Sequence, residues 1–314
     1  MYRPEIKVID CTVRDGGLMN KWQFEDRFVK TVYEATAAAG VDYMEIGYFS
    51  SESAFSRKEY GAWKFCAEND LQRIIGKEPK KIKLAAMADI GRINFEDIPT
   101  KDKSSLDLVR VACYAHQVDA AIELAHHVMD KGYESTINLM AVSTVGGREL
   151  DEALNDLAKS RVPVIYVVDS YGAYYQEDID HLVKQYQKAL PGKTIGVHMH
   201  NNQQLAFANT IAGIIAGANY LDATLYGFGR GAGNCPLELL ISFLKNPKFK
   251  LRPLVGAIDE VVLPWFRKIE WGYSIPYMIG GTLNQHPREA MAKMDREDRD
   301  RVLEFYDRVA SLPE

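Results

Sequence analysis

Thr194-Ile195-Gly196-Val197-His198-Met199-His200-Asn201-Asn202 is the stretch on which the reading of this chain turns. Its apolar first half is a candidate strand, and an amphipathic helix is expected to open near Gln204. Residues two apart on an extended backbone face the same way, so His198 and His200 present both imidazoles to one side, a bidentate start on a metal site. Taken alone, a His-x-His pair is more often structural. A second motif strengthens the case: Asp10-Cys11-Thr12-Val13-Arg14-Asp15-Gly16-Gly17 also sits where an apolar run, Ile6 to Ile9, stops.

Outward from these two motifs the chain repeats one theme, short Val/Ile/Leu-rich runs alternating with longer segments of helical period. Candidate strands are Lys7 to Cys11, Tyr43 to Ile46, Leu84 to Ala88, Leu108 to Ala112, Thr136 to Ala141, Val164 to Val168, Ile195 to Met199 and Tyr220 to Leu225. Between them, Ala121, Leu124, Ala125 and Val128 form one apolar helical stripe, and Leu205, Ala208, Ala212 and Ile215 another. Eight such units suggest an α/β fold, a (β/α)8 TIM barrel over residues 1–250, with a short C-terminal helical extension over residues 251–314 packed on it. A doubly wound open sheet is the alternative. Against it, no Gly-x-Gly-x-x-Gly follows the first strand; Gly229 to Gly233 comes after the eighth.

Composition is compatible with that fold. The 314 residues are 47% hydrophobic and 26% charged, ordinary for a globular protein with a sizeable core. A net charge of −5 argues against a nucleic-acid partner. Lys80, Lys81 and Lys83 form the one basic cluster and read as a solvated turn. Cys11, Cys66, Cys113 and Cys235 are widely spaced, which fits reduced thiols and a cytoplasmic location. No signal-peptide pattern or membrane-length apolar run is visible, so no membrane association is expected.

In a TIM barrel, functional groups gather at the C-terminal ends of the strands, where Arg14, Asp15, Glu45, Ser170, His198 and His200 fall. Strands 1 and 7 are separated only by strand 8, so Asp15 can meet both histidines around one ion. Two imidazoles and a carboxylate leave coordination positions open for substrate oxygens. Metal-dependent amidohydrolases carry their His-x-His on the first strand and their Asp on the last, the reverse of this order.

In combination, Thr12-Val13-Arg14-Asp15-Gly16-Gly17, Met44-Glu45-Ile46-Gly47, His198-x-His200-Asn201 and Gly231-Ala232-Gly233-Asn234-Cys235-Pro236-Leu237-Glu238 resemble the DRE-TIM metallolyase superfamily, within it most nearly the 4-hydroxy-2-oxovalerate aldolase branch. Asp169-Ser170 points the same way. The resemblance implies a divalent-metal-dependent aldolase that cleaves or forms a 4-hydroxy-2-oxo acid through a pyruvate enolate. It implies Mn2+ or Mg2+ first, Co2+ or Zn2+ next, held by Asp15, His198 and His200, with Asn234 a further ligand by likeness to the synthase branch. Arg14 would stabilise the enolate oxyanion and Glu45 orient Arg14 by a bidentate pair. Ser170, His198 and Tyr277 would contact the 2-oxo acid substrate. A homo-oligomer is expected. Members of that branch dock an aldehyde dehydrogenase through a C-terminal helical region, and the shorter tail here weakens that expectation.

One position departs from the branch. The histidine that takes the proton from the substrate 4-hydroxyl lies three residues beyond the Asp ligand, and here that residue is Leu18. Tyr48, Tyr114, Tyr171 and His286 are the candidate replacements. Two other readings stay open: a Claisen-type acyl-CoA lyase or synthase, supported locally by the Gly229 to Gly233 loop, and a metal- or metabolite-binding barrel without turnover. Asn201 reads as a turn residue, and His116, His126, His127 and His181 as surface or packing residues. Trp265, Phe266, Trp271, Tyr273 and Tyr277 are expected to cover the barrel mouth or a subunit interface, and Asp295 to Ser311 to form a surface helix packed through Val302, Phe305 and Val309.

Overall fold

The computed structural model describes residues 2–295 and 299–312. Strands β1 (Lys7–Asp10), β2 (Tyr43–Tyr48), β3 (Lys83–Asp89), β4 (Leu108–Cys113), β5 (Glu134–Leu139), β6 (Val164–Asp169), β7 (Thr194–Met199) and β8 (Tyr220–Ala223) close in that order into one barrel. Every neighbouring pair is parallel, and β1 pairs with both β2 and β8. The (β/α)8 expectation therefore holds. Three strands stop earlier than expected: β1 ends at Asp10, one residue short, β5 ends at Leu139 because Ala141 adopts a left-handed backbone, φ +52°, and β8 ends at Ala223 ahead of a 3-10 turn.

Alternation along the strands separates two interiors. Outward residues such as Val8, Met44, Ile46, Val109, Val111, Val167 and Leu221 share one continuous apolar shell with the helices. Inward residues Ile9, Tyr43, Ala85, Leu108, Val164, Tyr166 and Val168 form a small separate cluster in the lumen. Tyr166 fits there because its register partner is Gly196. A Cβ at Gly196 would lie 2.5 Å from the tyrosine ring.

The expected stripe on the Val118–Asp130 helix is buried as read. The one on the Ala206–Ala216 helix is not. Its packed face is Ala206, Asn209, Thr210, Gly213 and Ile214, while Ile215 is 66% exposed. The polar members of that face are satisfied locally: Thr210 Oγ1 donates to the Ala206 carbonyl at 2.7 Å and Asn209 Nδ2 to that of Tyr174 at 2.7 Å. Gly213 lets the helix approach Val197.

Past residue 250 the chain begins inside the barrel's own shell, with Leu254, Ala257, Val261 and Val262 in it. A satellite core follows, built from Ala232, Tyr277, Ile279, Ala290, Phe305 and Val309. The aromatics do not roof the mouth as expected. Trp265 packs on Phe24 and Phe28, Trp271 on Phe228 and Phe266, and Tyr273 is 61% exposed. The last helix spans Val302–Ala310 and buries Phe305 and Val309. Of the longer helix expected there, residues 296–298 lie outside the described residues. Lys77 to Lys81 are exposed, as a solvated turn requires. No helix among the described residues is long and apolar enough to cross a membrane.

Candidate active site

The site begins where β1 stops. A short helix, Thr12–Asn20, follows with no loop between, so Arg14 and Asp15 stand on a first helical turn rather than on the strand. Both are buried. Across the barrel seam, His198 is the last residue but one of β7 and His200 follows the strand. One ligand atom from each of Asp15, His198 and His200 lies within 4.8 Å of the others.

Each imidazole has its outer nitrogen engaged, which fixes its tautomer. His198 Nδ1 donates to Asp222 Oδ2 at 2.9 Å and His200 Nδ1 to the Gly233 carbonyl at 3.3 Å. Both Nε2 atoms are left as acceptors. Asp15 accepts from Arg14 Nη1 at 3.0 Å and from the Asn234 amide nitrogen. Burial alone would raise the Asp15 pKa; Arg14 and the two histidines outweigh it and hold the carboxyl below its usual range. Burial and the nearby cations push His200 well below an ordinary histidine, so it is neutral at physiological pH. Asn234 Oδ1 is buried without a partner, a further oxygen beside the group. A neutral, two-nitrogen, carboxylate donor set with an orphaned amide oxygen fits a divalent cation with open positions.

Beneath this layer lies a row of charges inside the barrel that the apolar strand runs conceal. Arg110, fully buried on β4, pairs with Glu45 at 3.1 Å and Asp222 at 2.7 Å. Glu45 Oε2 also accepts from Arg14 Nε at 2.7 Å. The pairing of Glu45 with Arg14 is thus single, not the expected bidentate fork, because the same oxygen is shared with Arg110 and Oε1 has no partner. Burial would raise Asp222, but Arg110 and His198 hold it at about 2. Arg110 and Asp222 were legible only as charges in the middle of otherwise apolar strands, a placement that requires a partner.

Above the ligand group opens a cavity of about 330 Å³, lined in part by Arg14, Asp15, Leu18, Tyr48, Asp89 and Asn138 and, on other strands, by Ser170, His198, His200, Arg230 and His286. Ser170 Oγ accepts from the Ala141 N–H at 2.9 Å, a contact that depends on the left-handed Ala141 backbone. Its hydroxyl hydrogen stays available to a ligand. Tyr277 stands apart: it is buried in the satellite core, against the Gly231 turn, and does not line the cavity. Asp89, which the sequence did not single out, ends β3 and faces this space. Its carboxylate has no hydrogen bond or ion pair among the described residues. Burial raises its pKa, with Lys64, Arg14 and Arg92 nearby opposing.

The loop from Gly229 to Gly233 is occupied with holding the site. A Cβ at Gly229 would meet Asn234 Nδ2 at 2.0 Å and Asp15 Oδ2 at 2.5 Å. The Gly233 carbonyl accepts from both His200 and the Asn201 N–H. Two of the N–H groups a phosphate cradle would need are also used within the protein, Gly231 donating to Met19 Sδ and Gly233 to the Arg230 carbonyl. Asn201 Oδ1 accepts from the Ala206 N–H at 3.1 Å, as a helix-opening turn residue does. His126 and His127 bond to Arg161 and Phe95 away from the cavity, and all four cysteines are free and buried.

The HMGL-like family profile matches residues 5–258. A 4-hydroxy-2-oxovalerate aldolase of Thermus thermophilus is 30% identical over 82% of this chain and 75% of its own length. An oxaloacetate decarboxylase of Mycobacterium tuberculosis is 31% identical over 80% of this chain and 72% of its own. Among solved structures, the N-terminal domain of a candidate aldolase from Bacteroides vulgatus superposes with a TM-score of 0.79 at 27% identity, covering 95% of this chain and 99% of that one. The carboxyl transferase domain of Rhizobium etli pyruvate carboxylase shares the fold, with a TM-score of 0.71 at 14% identity, over 96% of this chain and 55% of that one.

Proposed function

The chain belongs to the HMGL-like family of metal-dependent carbon–carbon lyases, and from that premise we propose that it cleaves or forms a 4-hydroxy-2-oxo acid by way of a pyruvate enolate. The observation that carries the reading is the meeting of Asp15, His198 and His200, two Nε2 atoms and a carboxylate, beside Arg14 and an unpaired Asp89 in one cavity. Asp15, His198 and His200, with Asn234 Oδ1 in reserve, would hold a divalent ion, Mn2+ or Mg2+ by ligand type. When bound, such an ion acts as a Lewis acid on the 2-oxo carbonyl, a contribution of several kcal/mol.

The protein's own groups supply the rest. Arg14, fixed by Glu45 and Asp15, turns its remaining guanidinium nitrogen toward His198 Nε2 at 3.5 Å, where the enolate oxygen develops charge. One preorganised donor of this kind is worth about 3 kcal/mol. Ser170 donates to the substrate carboxylate. Asp89 takes the base role that Leu18 cannot fill: it removes the 4-hydroxyl proton as the C3–C4 bond breaks, leaving an aldehyde and the enolate, which gains a proton at C3. Tyr48 is a poorer base, since burial and Asp89 raise its pKa far above the phenol range. His286 is unsuited too, because its Nδ1 already accepts the Arg288 N–H at 3.1 Å.

Exchange of the pyruvate methyl protons in deuterated buffer tests the enolate half without knowledge of the aldehyde. Exchange that needs added manganese, stops with chelator and is lost in Asp15→Asn is the expected result; no exchange from folded, manganese-loaded protein would overturn the reading. The base is tested by Asp89→Asn, expected to lower aldol cleavage about 10²- to 10⁴-fold. Because the Asp89 pKa is raised, the acid limb of kcat/KM should fall above the usual carboxylate range: activity is lost as pH drops and the carboxylate protonates. That limb should vanish in Asp89→Asn. A second reading, decarboxylation of oxaloacetate to the same enolate, is favoured by Leu18 and by the mycobacterial relative's name. It needs no base at C4, so Asp89→Asn would leave it standing.

A further inference from the structure

The cavity carries more positive charge than the reaction just described uses. Arg14 is matched by Asp15 and Glu45, and Arg110 by Glu45 and Asp222. Arg230 and Arg288 line the same cavity and neither has a carboxylate partner among the described residues. Arg230 rises from the loop after β8. Its Nη2 donates to the Ser170 carbonyl at 2.8 Å, which braces the side chain, and its Nε is buried with no partner among the described residues. Leaving such a donor dry and unsatisfied is unfavourable, and a bound anion relieves it.

His286 completes the group. Its Nδ1 accepts the Arg288 N–H, so in the neutral ring the proton sits on Nε2 and that edge is a donor. Burial, then Arg230 and Arg288, lower its pKa to about 4, so the ring is neutral under ordinary conditions. The Tyr171 ring lies 5.4 Å away, edge to face, and limits the ring's motion. The charge of Arg230 bears on the titration of Asp15 and His200 and on that of Tyr171 and His286. The one carboxylate lining the cavity outside the ligand group, Asp89, takes its opposing charges from Lys64, Arg14 and Arg92.

We propose that the cavity takes a 2-oxo acid bearing a second anionic group at the end remote from Asp15, His198 and His200, with Arg230, Arg288 and the His286 Nε2–H receiving that group. Resting on the aldolase reading, this makes the preferred substrate a 4-hydroxy-2-oxo dicarboxylate, formed when pyruvate C3 adds to the carbonyl carbon of an aldehyde that carries its own carboxylate. In that addition C3 loses one proton and the aldehyde oxygen gains one. Guanidinium groups pair with carboxylates through charge-assisted, fork-like hydrogen bonds, which give both affinity and direction.

The test compares two 2-oxo acids of equal chain length, 2-oxoglutarate and 2-oxopentanoate, titrated calorimetrically into manganese-loaded full-length protein. Wild type should bind the dicarboxylate about 10- to 100-fold more tightly, as charge-assisted hydrogen bonds to one added carboxylate predict. In Arg230→Gln and in Arg288→Gln that ratio should fall toward unity. Arg288 is exposed, so its variant tests the idea even where Arg230→Gln disturbs folding. Equal binding of the two acids by wild type overturns the proposal. So does an Arg230→Gln variant that weakens both acids alike, which would place Arg230 on the common C1 carboxylate. Pyruvate proton exchange in the same samples reports on the aldolase reading separately, since the binding ratio does not depend on turnover.

Discussion

The barrel has two interiors, and they are built on opposite principles. Between strands and helices, Val8, Ile46, Val111, Ile165, Val167 and Leu221 belong to one continuous apolar cluster with leucines, isoleucines and alanines. Inside the lumen, Arg110, Glu45, Asp222 and Arg14 form a chain of buried ion pairs leading from mid-barrel to the ligand group. The shell supplies stability from many small, interchangeable contributions. The lumen gives some stability up, because burying charges costs more than burying methylenes, and uses it to fix Arg14 and His198, the two side chains to which the proposed reaction gives roles.

The largest expected consequence of that contrast lies at Arg110. Arg110→Met leaves Glu45 with Arg14 alone and Asp222 with His198 alone in a dry lumen, and urea unfolding should report a loss of about 3–5 kcal/mol. The contrast sharpens if Glu45→Gln and Asp222→Asn are added to it: neutralising all three should recover most of that stability while leaving pyruvate exchange impaired, because Arg14 and His198 lose their supports. Recovery of both would show that the charges serve folding alone. Next in size, Asp222→Asn should weaken manganese binding about 10- to 100-fold by calorimetry, because His198 loses the carboxylate that orients it. The smallest effect belongs to the shell. Ile165→Val should cost about 0.5–1.5 kcal/mol and leave exchange at the wild-type rate; a shell substitution this mild that abolished exchange would break the comparison.

The same contrast explains what was legible beforehand. Shell residues announce themselves, because apolar runs of strand length at a steady spacing have few other uses, and all eight strands were found within a few residues of their ends. The polar residues at those ends, Asp15, Ser170, His198 and His200, were legible because the barrel assigns that edge to function. Lumen charges hide in the pattern: Leu108-Val109-Arg110-Val111 reads as a strand whatever Arg110 does. The Ala206–Ala216 helix was turned the wrong way for a related reason. Asn209 and Thr210 look like solvent residues until the carbonyls of Tyr174 and Ala206 are seen to satisfy them. Asp89 escaped because an Asp closing a strand ordinarily caps a turn, and only the folded cavity shows its carboxylate with nothing to cap.

β1 pairs with β8, and the bond from Asn234 to Asp15 spans 219 residues of sequence. The ligand group therefore straddles the seam where the first and last strands of the barrel meet. Metal-binding geometry is absent from any partly synthesised chain, however well its early βα units have formed, and arises only when the ring closes. Uptake of a divalent ion by Asp15, His198 and His200 would thus signal the final step of assembly, and a growing chain on the ribosome, without that group, would have no such site in which to trap the wrong ion.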